Sequence, residues 1–254
     1  MTTPTRDPTV DPWAKLRRAT PARIGLGHAG PGQPTGALLA FQAAHAAARD
    51  AVLTRPDFEG LTQRLAALGP VRRIASQAAD RATYLKRPDL GRCLSDASAA
   101  DLAGEATGAD LLILVGDGLS GAAIERQALP VLTALIPRLP GWRLAPLLLA
   151  EGARVALGDA AAAILDPTLV LMLIGERPGL SSPDSLGAYL TWRPRPGTVD
   201  AARNCISNIH GAGLTPEAAA QRLAWLLSEA RVRKLTGVGL KDGAPLLTAP
   251  DGSP

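Results

Sequence analysis

The sequence predicts an α/β protein in which a doubly wound, mostly parallel, Rossmann-like sheet is preceded by a small helical N-terminal arm. Short apolar runs alternate with segments of helix length, which is the pattern of parallel strands joined by helices. The runs are continuous rather than alternating, as expected for strands buried on both faces. The four predicted strands are Val71–Ile74, Leu111–Val115, Leu144–Leu149 and Leu169–Ile174.

Length and composition are compatible with one or two domains and a sizeable core. The chain has 254 residues, of which 46% are hydrophobic and only 3% aromatic, so aliphatic side chains must build the interior. We expect residues 1–55 to form a disordered tail plus a helical arm, and residues 56–254 to form the α/β domain. Met1–Pro12 is polar and proline-rich, which favours disorder.

A glycine-rich segment follows the tail and contains a literal G-x-G-x-x-G at Gly25, Gly27 and Gly30. A dinucleotide fingerprint needs a strand before it and a helix that opens inside it. Here no clear strand precedes the motif, and Pro31 and Pro34 delay the helix. We therefore predict an extended arm rather than a nucleotide site.

The helices are predicted from apolar spacing and from their end signals. Thr35 is a plausible N-cap for a helix to Leu53, whose apolar side chains share one face. A later helix begins after Thr215, with Pro216 at its first position. Further helices are expected over Asp57–Leu68, Ala78–Lys86, Ala122–Ile136 and the alanine-rich segment after Asp159, and Asp242–Pro254 is expected to be a loose tail.

Several functional classes are disfavoured. The net charge is only +4, and the arginines are scattered rather than clustered with aromatics, so we predict no nucleic-acid binding. No apolar run reaches the roughly 18 residues of a membrane span, and no signal peptide is visible, which favours a soluble cytoplasmic protein. Cys93 and Cys205 make no disulfide framework, and no metal-ligand spacing occurs.

The turn after the fourth strand is the strongest candidate for a site. Gly175 ends the strand, and Glu176 and Arg177 precede Pro178 and Gly179, so the chain must turn there. In open α/β sheets, ligands bind outside the carboxyl ends of the strands. The residues alone leave two interpretations open: a binding site, or a solvated turn with an internal ion pair.

Other candidates are weaker from chemistry alone. A hydrolase or transferase could use Asp117, Ser120 and His210, but the G-x-S-x-G elbow is one residue short, and Ser120 is better explained as a helix cap. Cys205 lies in Arg203–Ile209, which we expect to be irregular, and a lone cysteine is most often a small buried hydrophobe.

Six segments of the chain together resemble the small (light) subunit of ethanolamine ammonia-lyase, and the resemblance covers roughly residues 11–242. The pairing of GERPGLSSPDSLG with RNCISNI is specific to that family, whereas single pieces would be weak. The segments are PTGALLAFQAAHAAARDAV, YLKRPDLGR, the GDGLS loop, RVALGD, LIGERPGLSSPDSLGAYLTW and RNCISNI.

The resemblance implies a subunit of a lyase that converts ethanolamine to acetaldehyde and ammonia by a radical mechanism with adenosylcobalamin. The cofactor would be bound base-on, which is consistent with the missing D-x-H-x-x-G signature, and no metal ligand is expected here. A large (heavy) TIM-barrel subunit would bind most of the ethanolamine and complete the hetero-oligomer. The complex would be cytoplasmic, and the resemblance also allows a location within a bacterial microcompartment.

By the same resemblance, no catalytic residue is expected in this chain, and the cofactor-binding residues are Val155, Glu176 and Cys205. Val155 would supply apolar contact, Glu176 would accept a hydrogen bond, and Cys205 would pack a small soft atom against the cofactor. The arm would grip the large subunit. The non-enzymatic alternative is that this chain only stabilises the large subunit and makes little contact with the cofactor.

Overall fold

A six-stranded sheet runs through the computed structural model, which describes Asp11 and residues 13–243. The strand order is β1-β3-β2-β4-β5-β6. The first four strands are parallel to one another, whereas β5 runs antiparallel to β4 and β6 antiparallel to β5. The strands are β1 (Val71–Ala75), β2 (Leu111–Gly116), β3 (Leu147–Glu151), β4 (Leu169–Gly175), β5 (Leu186–Trp192) and β6 (Arg203–Ile209).

The four predicted strands are all present, with β3 shifted toward the C-terminus relative to its prediction. Every residue of β2 and β4 is buried, which explains their continuous apolar sequences. The α/β class and a mostly parallel sheet are thus confirmed. The narrower prediction of a doubly wound, Rossmann-like arrangement stays a prediction.

Two strands at the β6 edge of the sheet were not predicted from the sequence. The interpretation of Arg203–Ile209 as irregular is wrong, because this segment is β6 and pairs with β5. Pro194 and Pro196 lie in the connection between the two strands and interrupt neither of them. The prolines therefore mark a loop, and the strands on either side of it form an antiparallel pair.

Nine α-helices are described in residues 13–243, and most follow the predicted positions. The final helix is capped as expected, because the side chain of Thr215 accepts a hydrogen bond from the backbone N–H of Ala218. The helices are α1 (Ala14–Ala19), α2 (Thr35–Leu53), α3 (Phe58–Leu65), α4 (Arg81–Lys86), α5 (Asp96–Leu102), α6 (Gly121–Ala123), α7 (Leu129–Leu135), α8 (Leu157–Leu165) and α9 (Pro216–Arg233). A π-helical stretch, Ile124–Ala128, joins α6 to α7.

Alternate residues of the strands pack into two separate hydrophobic clusters, one on each side of the sheet. The first cluster contains Leu111, Ile113 and Val115 of β2, together with buried residues of α3, α7 and α9. The second contains Leu112 and Leu114, together with buried residues of α5 and α8. We call the side of the sheet that carries the second cluster the α8 side.

The chain divides into two compact units, Met1–Ala47 and Ala48–Pro254. In the described part of the first unit, the G-x-G-x-x-G lies in an irregular segment between α1 and α2, as predicted. The predicted disorder of residues 1–10, Pro12 and 244–254 falls outside the described residues, and the predicted boundary at residue 55 stays a prediction. No helix in the described ranges is long and apolar enough to cross a membrane.

A buried ion pair ties α8 to the start of β6. The guanidinium of Arg203 donates from Nη1 to Asp159 Oδ1 at 2.8 Å and from Nη2 to Asp159 Oδ2 at 2.6 Å. The two side chains are only 3% and 2% exposed. Arg203 also donates to the hydroxyl of Thr191 at 3.1 Å, so the same group braces β5.

Removing one partner of this pair should be strongly destabilising. Asp159→Ala leaves the buried charge of Arg203 without its carboxylate, and we expect a loss of about 3–5 kcal/mol in the free energy of unfolding. Urea denaturation at neutral pH measures this loss. Asp200→Ala is the control, because the fully exposed Asp200 lies 3.6 Å from the Arg203 Nε and should matter little. Equal unfolding midpoints for the two variants would contradict the expectation.

Candidate functional site

Glu176 directly follows β4, and its carboxylate is held by two partners. Its Oε2 accepts a hydrogen bond from the hydroxyl of Ser185 at 2.7 Å and from the backbone N–H of Asn208 at 3.2 Å. Its own backbone N–H donates to the carbonyl of Ser185 at 3.0 Å. In the described part of the chain, the partners of the Glu176 carboxylate are Ser185 and Asn208 rather than Arg177, so the internal ion pair expected for a simple solvated turn is not found.

The N–H of Asn208 is available because the pairing of β5 and β6 contains a bulge. Leu186 is opposite Ile209 and Ala188 is opposite Ile206, so two residues of β6 face the single Gly187. Asn208 has a φ of 61°, in the left-handed region that asparagine tolerates better than most residues. The bulge releases the Asn208 N–H from the ladder and directs it to Glu176.

The second carboxylate oxygen of Glu176 lies over Gly187. A Cβ at position 187 would be 2.8 Å from Glu176 Oε1, so the carboxylate occupies the space that a side chain would fill. Among the described residues, none donates a hydrogen bond to this Oε1. One oxygen of Glu176 is therefore fixed by the protein, while the other remains an acceptor for a ligand.

Cys205 lies next to this carboxylate on the α8 side of the sheet. It is opposite Tyr189 in the register of β5 and β6, and side chains at opposed positions lie on the same face. Gly187 and Tyr189 share that face because residues two apart in a strand point the same way. We call Glu176, Gly187, Tyr189 and Cys205 the hairpin patch.

Cys205 is an exposed residue, so the expectation of a small buried hydrophobe is wrong. The physical reason is that β6 is an edge strand, and the α8 side of the β5–β6 pair is uncovered at this position. Tyr189 is half-buried beside it. The hairpin patch is thus open to solvent at Cys205 and partly open at Tyr189.

The two ionisable neighbours of Glu176 are protonated at neutral pH. Desolvation by the surrounding atoms raises the pKa of the Cys205 thiol, and the charge of Glu176 acts in the same direction, against a hydrogen bond from Tyr189. Desolvation also raises the pKa of the Tyr189 phenol. The patch therefore presents one carboxylate beside a neutral phenol and a neutral thiol.

Val155 lies before α8 and reaches the same side of the sheet. Val155 and Tyr189 both pack, partly buried, against the second hydrophobic cluster. An open groove of about 820 Å³ borders this region and is lined by Ala156, Asp159 and Ala160 of the α8 segment and by the 196–200 loop. The structure thus brings Glu176 and Cys205 into one patch, and it places Val155 on the same side without a recorded contact to either.

The rival constellation of Asp117, Ser120 and His210 is not assembled. Ser120 is fully buried; its hydroxyl donates to the Pro183 carbonyl at 2.8 Å and accepts from the Ala123 N–H at 3.2 Å, which confirms the predicted cap. The ring of His210 bonds to Asn208 Oδ1 at 2.8 Å. A triad requires its members to hydrogen-bond to one another, and these do not.

Sequence reasoning missed Tyr189, Gly187 and Ser185 as members of the site. The signal was present in the alternation of LGAYLTW, where Leu186, Ala188 and Leu190 are buried in the first cluster. Such an alternation predicts that the intervening residues share the opposite face. The described residues contain no group of three or more His, Cys, Asp or Glu side chains that could hold a metal ion.

Fold and site together define an α/β protein with a polar patch on its sheet, in which Asp117, Ser120 and His210 do not form a triad. The family model described as ethanolamine ammonia-lyase light chain (EutC) matches residues 10–241. The chain belongs to this family and is accordingly a subunit of an ammonia-lyase.

Curated relatives named ethanolamine ammonia-lyase small subunit match over nearly the whole chain. The protein of Rhodopseudomonas palustris (strain BisA53) is 51% identical, over 98% of this chain and 96% of its own length. That of Azotobacter vinelandii is 52% identical, over 93% and 90%. That of Xanthomonas campestris pv. campestris (strain ATCC 33913) is 52% identical, over 97% and 94%. The small-subunit name implies a larger partner subunit.

Asp117, the buried carboxyl of the rival set, should make stability depend on pH. Its Oδ1 accepts from the Ala153 N–H at 3.0 Å and its Oδ2 from Arg81 at 3.2 Å, yet desolvation raises its pKa to about 6. The folded state therefore binds a proton more tightly than the unfolded state, and this carboxyl lowers the free energy of unfolding as pH rises from about 4 to 6.

Asp117→Asn should remove that dependence. We expect the free energy of unfolding of the variant, minus that of the unchanged protein, to increase by about 2 kcal/mol between pH 4 and pH 7. Urea denaturation across this range measures the difference. A constant difference at all pH values would show that Asp117 titrates normally in the folded protein.

Proposed function

We propose that this chain is the cofactor-contacting small subunit of an adenosylcobalamin-dependent ethanolamine ammonia-lyase, which converts ethanolamine to acetaldehyde and ammonia. The observation that carries the proposal is the hairpin patch, where Glu176 lies beside Cys205, an exposed residue on the α8 side of the β5–β6 pair. The large subunit binds most of the substrate, and this chain contributes no catalytic residue. The relatives' shared name supports the reaction assigned here.

The residues present fit a base-on cobalamin. A corrin is a broad, partly apolar disc fringed with carboxamides, and it needs an open surface with apolar contacts and a few polar ones. The Oε1 of Glu176 has no donor in the described chain and can accept from a carboxamide N–H. The neutral thiol of Cys205 and the side chain of Val155 suit the apolar parts of the disc.

The protein binds and orients the cofactor. When bound, the cofactor supplies the radical chemistry of the reaction. Glu176 holds the periphery of the corrin by a charge-assisted hydrogen bond. Because Ser185 and Asn208 already fix the carboxylate, it does not have to be ordered when the cofactor binds. Val155 and Cys205 exclude water from the contact.

The N-terminal arm is proposed to bind the large subunit. No residue of α2 is buried, although the helix carries large apolar side chains. Leu38 and Phe41, which share one face of the helix, are 41% and 40% exposed. Contiguous exposed apolar side chains mark interaction surfaces, and a named larger partner is available to cover them. A helix laid into an apolar groove is a common mode of such contact.

The cofactor assignment predicts that Glu176→Ala and Cys205→Ala weaken cobalamin binding in the complex with the large subunit. Glu176→Ala removes a charge-assisted hydrogen bond and should lower the affinity for cobalamin about 10- to 100-fold. Cys205→Ala should lower the same affinity a few-fold. Titration of the co-expressed complex with hydroxocobalamin, followed by absorbance, measures both. Glu217→Ala, on α9, is the matched control and should bind normally. Unchanged affinity in both variants with the complex intact would favour a purely structural stabiliser.

The arm assignment predicts that charge on the apolar face of α2 prevents assembly. Phe41→Glu should reduce recovery of the large subunit in a tagged pull-down at least about tenfold, since burying a carboxylate in an apolar contact is costly. Ala43→Glu adds the same side chain on the opposite side of the helix and should assemble normally. Deletion of residues 1–55 should abolish co-purification, and undiminished recovery with the deletion would refute the assignment.

A further inference from the structure

Tyr189 belongs to the hairpin patch, and the resemblance assigned it no role. Tyr189 pairs with Cys205 across β5 and β6, and it pairs with the buried Met172 on its other side. Gly187, two residues before it on the same face, lies under Glu176 Oε1. The ring packs against the cluster that also holds Val155. Tyr189 therefore neighbours Glu176 and Cys205, and it lies on the same side of the sheet as Val155.

The hydrogen-bonding capacity of the phenol is not used up by the protein. Cys205 is the neighbour that can accept from the phenolic O–H, and a neutral thiol is a weak acceptor, so a ligand carbonyl would be the stronger partner for this donor. In the part of the chain that is described, no carbonyl or carboxylate accepts from this hydroxyl. By contrast Tyr84, the other tyrosine, is buried and donates to the Ala153 carbonyl at 2.8 Å.

Tyr189 and Glu176 together offer a hydrogen-bond donor and a hydrogen-bond acceptor, and this combination is complementary to one chemical group. The Tyr189 O–H can donate, and Glu176 Oε1 can accept, on the same side of the sheet. A primary carboxamide offers the complement, since its carbonyl accepts and its NH2 donates. A carboxylate ligand would instead place a second negative charge beside Glu176, which costs free energy at short range.

We infer that Tyr189 is a further contact residue, and that Tyr189 and Glu176 together bind one peripheral carboxamide of the corrin, the phenol donating to its carbonyl and the carboxylate accepting from its NH2. This inference rests on the proposed function. It adds a specificity element, because the pair distinguishes an amide from an acid. Gly187 is a positioning residue for the pair, since its missing side chain makes room for Glu176.

The test uses the complex with the large subunit and measures cobalamin affinity by absorbance titration. Tyr189→Phe removes only the hydroxyl, and we expect about 5- to 10-fold weaker binding, the effect of one neutral hydrogen bond. Tyr84→Phe makes the same chemical change at a residue outside the patch and should bind cobalamin normally. Gly187→Ala, which displaces Glu176 without removing it, should weaken binding as well.

Cobalamin derivatives with a single peripheral amide hydrolysed to the acid identify the contacted group. For one derivative, the loss caused by hydrolysis and the loss caused by Tyr189→Phe should be non-additive, because both remove the same contact. A merely structural role of Tyr189 would give additive losses with every derivative and would overturn the inference.

The outcomes also separate this inference from the proposed function. If Glu176→Ala and Cys205→Ala weaken binding but Tyr189→Phe does not, the role of Tyr189 is wrong and the cofactor site stands. If none of the three variants changes the affinity, the proposed cofactor contact itself fails, and the inference fails with it.

Discussion

The register of β5 against β6 is the constraint on which the site depends. Tyr189 is opposite Cys205 in this register, and Ala188 is opposite Ile206. Because side chains alternate between the two faces, a slip of one residue would bury the thiol in the first cluster and expose Ile206. The buried side chains of Ala188, Leu190 and Ile206 therefore fix the register, and the register fixes which polar groups reach the α8 side.

The same constraint explains why a single carboxylate can be kept on this face. Glu176 is only partly exposed, and a carboxylate in such a place needs hydrogen bonds to be tolerated. The hydroxyl of Ser185, just before β5, and the backbone of Asn208, in β6, meet that need. The neutral states of Tyr189 and Cys205 avoid a second negative charge nearby. The result is a pre-organised acceptor beside uncharged groups.

Much of the fold was predictable from the sequence, whereas the geometry of the site was only partly so. Continuous apolar runs such as Leu169–Ile174 identify buried parallel strands by composition alone, and Thr215 with Pro216 marks a helix start by local chemistry. β6 was missed because an edge strand needs only one apolar face, and RNCISNI has few apolar residues. Glu176 could be singled out because strand ends carry ligands, but its neighbours could not, since strand pairing is a long-range property.

The bulge in β6 and the glycine in β5 act together on Glu176, and neither would be sufficient alone. Without the extra residue between Ile206 and Ile209, the N–H of Asn208 would remain in the ladder and could not donate to Oε2. Without the empty space at Gly187, Oε1 could not lie over the strand. A regular hairpin of the same composition would thus leave the carboxylate held by the Ser185 hydroxyl alone. Two local departures from regular pairing convert an ordinary strand-end glutamate into a fixed acceptor, which is what recognition of a neutral, amide-fringed surface requires.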